Sequence, residues 1–246
     1  MIKELGPGFR LTLAMTILTG LLYPAMMTGL SELIFPRQAN GSLVRVKDNV
    51  VGSSLIGQSF AKPEYFHPRP SAAGSGYDAT ASGGTNLGPT SAKLLHGTTK
   101  TDDKGKEIVD FDGLDDRIVH YCVDNDIPYV SSLPLSQFKN SHGDLDDVKL
   151  IKAFNDANSP LLFTPKSPIP SDAVTASASG LDPQISPANA EIQAVRVAKA
   201  RGVSADQVNP LIGQSTDRAD WGFLGEPRVN VLQLNVALDR RFPISK

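Results

Sequence analysis

The chain has little of the side-chain chemistry on which catalysis or covalent cross-linking depends. It contains one cysteine among 246 residues, so an internal disulfide is excluded. No two histidines stand at the i, i+4 spacing of a helical metal motif; they are His67, His96, His120 and His142. A phosphate-binding loop, a dinucleotide fingerprint and a nucleophile elbow are all missing. We therefore predict no catalytic residue and no metal site and assign no cofactor-binding residue, although a Ser-His-Asp triad built from distant residues stays open.

An excess of charge of either sign is also missing. The formal net charge is −2 and the isoelectric point is about 6.1. A nucleic-acid-binding domain concentrates basic residues on one face, so a nucleic-acid partner is excluded. The acidic run at residues 110–116 lacks the ligand spacing of a calcium-binding loop, and a solvated acidic face is the favoured interpretation.

What the sequence does contain is a long apolar run near its start. Residues 11–30 include 20 positions without a charge, and a helix of that length spans about 30 Å, the thickness of a hydrocarbon core. The run exceeds the apolar region of a secretory signal, and no A-x-A cleavage pattern follows it. We predict an uncleaved membrane-spanning helix over residues 11–35, surrounded by lipid.

The charges around this run predict its orientation. Lys3 and Arg10 precede it, whereas one acidic and one basic residue nearly cancel behind it. By the positive-inside rule, residues 1–10 are cytoplasmic and residues 36–246 lie outside. The sequence thus predicts a single-pass protein of the cell inner membrane with a periplasmic or extracellular domain.

One face of the predicted helix carries small residues at helical spacing. Thr12, Thr16 and Gly20 recur every four residues, and such a stripe lets a second helix approach closely. Pro24 is expected to kink the helix and to free a backbone carbonyl. We predict that these four residues contact a partner helix; an unpartnered anchor is the alternative.

The remainder of the chain predicts one α+β domain. Two β-prone runs flank Asp48 and Asn49, which tolerate positive φ and predict a hairpin. Residues 57–91 have the composition of a flexible linker, but their aromatic side chains can anchor a loop on a core. We predict an ordered loop here. Its aromatic residues are Phe60, Tyr65, Phe66 and Tyr77.

Helix start and stop signals follow. Asp116 is expected to cap one helix, and residues 144–155 form a second with apolar residues on one face. Ser186 predicts the start of a third helix, and Gly202 follows its end.

The last two helices are predicted by capping boxes. Ser204 with Gln207 begins one, and Asn230 with Gln233 begins the other. Pro210 is expected to make the first of these helices short.

Several strings in the same order resemble the family of C subunits of the Kdp potassium-transporting ATPase, a bacterial potassium uptake complex. They are residues 51–58 (VGSSLIGQ), 65–72 (YFHPRPSA), 77–89 (YDATASGGTNLGP), 174–187 (VTASASGLDPQISP), 196–202 (RVAKARG) and 222–231 (GFLGEPRVNV). Against that family, residues 94–166 are longer than the usual spacer and are interpreted as an insertion.

The resemblance implies a non-catalytic accessory subunit that supports assembly and ATP-coupled potassium transport. Its implied partners are a channel-like potassium-binding subunit and a P-type ATPase subunit that is phosphorylated on aspartate. The family is described as a catalytic chaperone that raises the ATP affinity of the pump subunit. The chain lacks an Asp-Lys-Thr-Gly-Thr phosphorylation motif, so ATP and potassium are expected to be handled by the complex. A membrane-anchored hydrolase and a surface scaffold are the alternatives from other classes.

Two uncharged, backbone-exposing segments near anchoring aromatics are the predicted subunit-interface loops. We expect them to pack against the potassium-binding subunit near its outer mouth. Their residues are Ser82, Gly83, Gly84 and Asn86 in the first segment, and Gly180, Asp182 and Pro183 in the second.

Overall fold

The apolar N-terminal run is helical along its whole length. A computed structural model describes residues 2–244, within two compact units, Met1–Leu55 and Ile56–Lys246. In the first unit the helical span Glu4–Ile34 has 31 residues, a mean hydropathy of 1.5 and none of its most apolar stretch buried. The span consists of α1 (Ile2–Ile17), a π-helical turn (Leu18–Leu22) and α2 (Tyr23–Ile34). The helix therefore begins before the predicted span and ends one residue short of it.

The π-helical turn lies directly before Pro24. The N–H of Tyr23 bonds to the carbonyl of Leu18, five residues earlier, rather than four. Proline has no N–H to continue the regular pattern, so helices commonly become irregular just before it. The regular hydrogen bonding is therefore interrupted in the turn that precedes Pro24, and the kink itself stays a prediction.

A short helix and a hairpin complete the first unit. Helix α3 (Pro36–Ala39) leads into the antiparallel pair β1 (Leu43–Val46) and β2 (Asn49–Ser53). The predicted hairpin is confirmed, but its turn is not where we expected it. Positive φ falls on Lys47, at 55°, and Asn49 is already the first residue of β2.

The second unit combines helices with three small antiparallel sheets. The sheets pair β3 with β4, β5 with β6, and β9 with both β7 and β8. The strands are β3 (Thr98–Thr101), β4 (Glu107–Phe111), β5 (Tyr129–Ser131), β6 (Phe163–Pro165), β7 (Gln184–Ile185), β8 (Thr216–Asp217) and β9 (Arg228–Asn230). The helices are α4 (Ala92–His96), α5 (Leu114–Asp124), α6 (Asp147–Phe154), α7 (Ser171–Val174), α8 (Pro187–Arg201), α9 (Ala205–Gln214) and α10 (Val231–Arg241), with a 3-10 turn at Leu135–Phe138. The predicted mixture of helix and strand is confirmed.

Helices α8, α9 and α10 enclose the larger core, and their ends follow the capping signals. The Ser186 hydroxyl accepts from the N–H of Asn189, and Gly202 closes α8 with φ 67°. The Ser204–Gln207 capping box is present, and the Asn230 side chain accepts from the N–H of Gln233. The buried side chains include Ile185, Ala194, Val197, Val208, Ile212, Val229, Leu234 and Leu238.

Pro210 does not shorten α9 as predicted. The helix continues from Pro210 to Gln214. Because Pro210 has no N–H, the carbonyl of Asp206, four positions earlier, receives no helical hydrogen bond. Both Asp206 and Pro210 are exposed. Water can therefore bond to the freed carbonyl, which lowers the cost of the missing hydrogen bond.

A second core lies between α5 and α6. It contains Val119, Leu135, Phe138, Leu150, Phe154 and Leu161. The prediction that Asp116 caps α5 is wrong, because Gly113 is the N-cap and Asp116 lies buried in the first turn. Gly113 lies so close to α4 that an added Cβ would stand 2.2 Å from the Gly97 nitrogen. Helix α6 is confirmed, with Asp146 as its cap.

Candidate subunit interface

The loop between β2 and α4 is ordered without helix or strand, as predicted, because side chains from two helices bond to its backbone. Phe66, fully buried in the larger core, is held at both polar groups by Asn235 of α10. Its N–H donates to Asn235 Oδ1 at 2.9 Å, and its carbonyl accepts from Asn235 Nδ2 at 3.0 Å. The Asn235 side-chain amide thus gives Phe66 the two backbone hydrogen bonds that a neighbouring strand would otherwise supply.

Helix α8 extends the same pattern to the neighbouring residues. The N–H of His67 donates to Gln193 Oε1 at 2.7 Å, and its carbonyl accepts from Gln193 Nε2 at 3.1 Å. Arg196 Nη1 donates to the carbonyls of Pro63 and Tyr65, at 2.7 and 3.0 Å.

Arg201 supplies the remaining contact. Its Nε donates to the Glu64 carbonyl at 2.7 Å, and its guanidinium lies 4.9 Å from the centre of the Tyr65 ring. Five consecutive carbonyls of the loop therefore accept hydrogen bonds from side chains of α8 and α10; they belong to Pro63, Glu64, Tyr65, Phe66 and His67. Since a backbone group left unpaired on burial costs about 1–3 kcal/mol, these bonds fix the path of the loop.

Burial also sets the charges around this part of the loop. The pKa of His67 is lowered by desolvation and then by the nearby Arg196 guanidinium, so the neutral imidazole is favoured. Burial likewise lowers the pKa of Arg196. The protein therefore keeps a buried Arg196 cation beside a neutral His67, and Arg196 is bonded on several sides.

The second half of the loop packs against the segment that precedes β7. Arg69 Nη1 and Asp182 Oδ2 form an ion pair at 3.0 Å. The Ser71 hydroxyl donates to the Gly180 carbonyl at 2.6 Å, and the N–H of Gly83 donates to the Ser179 carbonyl at 2.9 Å. The two segments predicted as interface loops are thus brought together into one surface.

Two glycines of this surface stand where a side chain would collide with backbone. A Cβ on Gly84 would lie 2.8 Å from the Ala178 carbonyl oxygen. Gly180 has φ 67°, and its Cβ would lie 2.6 Å from the Ala73 nitrogen. The close approach of the two segments therefore depends on glycine at both positions.

The remaining predicted interface residues differ in their hydrogen bonds and in their exposure. The Ser82 hydroxyl donates to the Ser179 carbonyl at 3.0 Å, and the Pro183 carbonyl accepts from the N–H of Val231 at 3.0 Å. Asn86 is exposed and adopts φ 54°. We call residues 82–86 with 178–183 the Gly/Ser surface.

The predicted helix-contact residues lie in the first unit. Thr12, Thr16, Gly20 and Pro24 are exposed along the N-terminal helix. The stripe of small residues is therefore uncovered in the isolated chain, and its contact with a partner helix stays a prediction.

A cleft of about 500 Å³ lies beside the tethered loop. Two carboxylates, Asp124 and Asp126, face into it, and Lys199 Nζ lies 3.4 Å from Asp126 Oδ2. The Arg196 guanidinium is already bonded to protein oxygens. The lining thus carries two carboxylates and two cations, and it has no excess of positive charge.

Sequence reasoning missed the four residues that tether the loop. Gln193 and Arg196 are polar residues at buried positions of α8, and Asn235 holds the same kind of position on α10. Polar side chains at the core-facing spacing of a helix are a usable signal, because a buried polar group needs a partner. The sequence could have indicated that partners exist, but not which segment supplies them.

The chain is similar to known proteins along its whole length. The family model described as K+-transporting ATPase, c chain, matches residues 5–110 and 143–240. A relative from Beijerinckia indica is 41% identical over 246 residues, covering 100% of this chain and 98% of that protein. Relatives from Caulobacter vibrioides and Mycobacterium tuberculosis are 43% and 40% identical, covering 99% and 97% of this chain. All three are named Potassium-transporting ATPase KdpC subunit.

The matches bear on the segment interpreted as an insertion. Residues 111–142 fall outside the family-model match, whereas both ends of the predicted 94–166 segment fall within it. The relative from Beijerinckia indica aligns across the whole chain, so it has room for a segment of similar length.

Proposed function

The chain belongs to the family of the K+-transporting ATPase c chain, the KdpC subunits, and on that premise we propose how it serves its complex. It is an accessory subunit of the potassium-transporting ATPase and is not itself catalytic. Its N-terminal helix anchors it in the membrane. The domain after the helix lies outside the cell membrane and presents the Gly/Ser surface to the partner subunits.

Family membership removes the ground for the hydrolase alternative. A Ser–His contact does occur, between Ser141 Oγ and His142 Nδ1 at 3.4 Å. These are chain neighbours on an exposed turn, which is not the arrangement of a catalytic triad.

The observation that carries the docking proposal is the fixed backbone of the Gly/Ser surface. Its two segments are bonded to each other, and the adjoining loop is held by α8 and α10. A surface that is ordered before binding loses little conformational entropy when a partner covers it. Its partners under this proposal are a channel-like potassium-binding subunit and a P-type ATPase subunit.

In this proposal the chain binds neither ATP nor potassium as a resident cofactor. It acts as a catalytic chaperone by holding the pump subunit in a competent arrangement through the membrane helix and the Gly/Ser surface. The charges of the cleft beside Arg196 support this division of labour, because they disfavour polyphosphate.

A pair of glycine substitutions tests the docking surface. Gly84→Ala places a methyl group 2.8 Å from the Ala178 oxygen and separates the two segments, whereas a Cβ on Gly88 meets nothing within 4 Å. We expect Gly84→Ala to lower recovery of the complex and its potassium-stimulated ATPase activity, and Gly88→Ala to leave both unchanged. Equal behaviour of the two variants, with both folded, would contradict the proposal.

The orientation has its own test. Protease added to cells with a sealed plasma membrane is expected to remove the domain after the helix. A domain protected until the membrane is opened would place it in the cytoplasm instead.

A further inference from the structure

One group of side chains, which plays no part in the proposed docking, has the composition of a cation site. Asp116 and His120 stand four residues apart on α5, and Asp147 is the first residue of α6. Each offers one ligand atom, and these atoms all lie within 4.8 Å of one another. His120 Nε2 is 2.8 Å from Asp147 Oδ1 and 4.0 Å from Asp116 Oδ2.

The Asp116 carboxyl supplies an independent indication of a ligand. The residue is only 4% exposed, and among the residues that the structure describes its Oδ1 atom has no hydrogen-bond partner. A carboxylate oxygen buried without a partner is costly, so such a group normally holds a proton, a water or a cation. The other oxygen of the same carboxyl, Oδ2, lies 4.0 Å from His120 Nε2.

The backbone that carries these side chains is fixed by packing. Val119 on α5 and Leu150 on α6 both belong to the smaller core and are fully buried. Because the two helices are packed together, the ligand atoms of Asp116, His120 and Asp147 can change position mainly by rotation of their side chains. In tetrahedral coordination with bonds of about 2.0–2.1 Å, ligand atoms stand about 3.3 Å apart. The two distances from His120 Nε2 to the carboxylate oxygens bracket that value, and the three ligand atoms all lie within 4.8 Å of one another. Side-chain rotation is therefore the adjustment that a shared ion requires.

The surroundings favour entry of a cation. His120 and Asp147 line a cleft of about 440 Å³ that also contains Asp124 and Asp144, with Lys139 on its wall. Carboxylates that face an open cleft raise the local concentration of cations.

We propose that Asp116, His120 and Asp147 bind a divalent transition-metal ion of the Zn²⁺ type, with water completing its coordination. One imidazole nitrogen and two carboxylate oxygens form a donor set that Zn²⁺ accepts readily. The ion would link α5 to α6. Asp116 and His120 lie in the stretch outside the family-model match, and none of the three residues belongs to the Gly/Ser surface.

The test uses the full-length chain, purified without a histidine tag, and Zn²⁺ alone as the probe. Calorimetric titration is expected to show saturable binding of one Zn²⁺ ion per chain. Zn²⁺ is also expected to raise the unfolding temperature, and EDTA is expected to reverse this rise. Co²⁺ substitution gives a visible spectrum that reports a ligated ion. Asp147→Asn is expected to lose all three signals.

A matched control lies between the end of α4 and the first turn of α5. His96 Nδ1 and Asp115 Oδ2 also form a His–Asp pair, at 2.6 Å, but without a third buried carboxylate. His96→Asn is expected to bind Zn²⁺ as the native chain does. Asp116→Asn should lose binding as Asp147→Asn does; if it fails to fold, the half-exposed Asp147 keeps the test valid.

Two outcomes would overturn the proposal. One is a native chain without saturable Zn²⁺ binding, in which case the buried carboxyl of Asp116 simply retains a proton. The other is binding that survives in Asp147→Asn, which would place the ion elsewhere on the chain.

Discussion

Asn235 pairs with Phe66 across 169 positions of sequence, donating to its carbonyl and accepting from its N–H. The pair joins α10 to a loop that contains neither helix nor strand. Around it, Gln193, Arg196 and Arg201 hold the neighbouring residues in the same way. The order of the loop is therefore a property of the helices that face it.

Removing the Asn235 amide should destabilise the protein and release the loop. Asn235→Ala leaves the N–H and the carbonyl of Phe66 buried without partners, at about 1–3 kcal/mol for each group. We expect the free energy of unfolding to fall by about 2–4 kcal/mol in denaturant titration, with faster hydrogen exchange around Phe66.

The control for this variant lies on the same helix. Gln233 is exposed, and Gln233→Ala keeps the backbone N–H that bonds to Asn230, so it should change stability by less than about 1 kcal/mol. Equal effects of the two substitutions would show that helix propensity, and not the contact with Phe66, determines the loss.

The environment of His67 should make stability depend on pH. Its pKa is lowered in the folded protein by desolvation and by Arg196, so the unfolded chain binds a proton more readily. The contribution of the neutral His67 to the free energy of unfolding is complete above its ordinary pKa of about 6.5. It is lost as the pH falls through the lower pKa that His67 has in the folded protein. We expect the native protein to lose stability over this range faster than His67→Asn, as measured by unfolding at pH 5 to 8. A steeper loss in the variant would contradict the assignment.

One glycine at the start of a helix and one inside a helix should respond in opposite directions to alanine. Gly113→Ala would force the N-terminus of α5 away from Gly97, and should lower the free energy of unfolding by several kcal/mol, about the scale of severe core strain. A Cβ on Gly213 meets nothing within 4 Å, and in α9 alanine should add up to about 1 kcal/mol. Denaturant titration of both variants measures the contrast; a stabilising Gly113→Ala would contradict the close approach.

Local signals in the sequence predicted much of the fold, because they act within a few residues. The caps at Ser186, Ser204 and Asn230 and the glycine after α8 were all found where expected. Asp116 was wrongly predicted as the cap of α5, because an acidic residue near the start of a helix is favourable both at the N-cap and in the first turn. In the structure Gly113, which lies close to Gly97, is the N-cap.

The candidate site was predicted in part. The two Gly/Ser segments were identified from composition, and the structure brings them together through contacts such as Gly83 with Ser179. The tethers from α8 and α10 could not be predicted, since the partners of a buried polar residue such as Gln193 depend on which distant segment packs against it. The group formed by Asp116, His120 and Asp147 escaped for the same reason, because its third member lies on another helix.

The central claim, that the Gly/Ser surface is covered by a partner subunit, is tested most directly by thiol labelling. The native Cys122 is buried, and burial raises the pKa of its thiol to about 11, so the unmodified chain serves as the blank. Ser82→Cys places one exposed thiol on the surface. The account predicts rapid maleimide labelling of this variant in the free chain and strong protection in the assembled complex. Labelling at the same rate in both would contradict it.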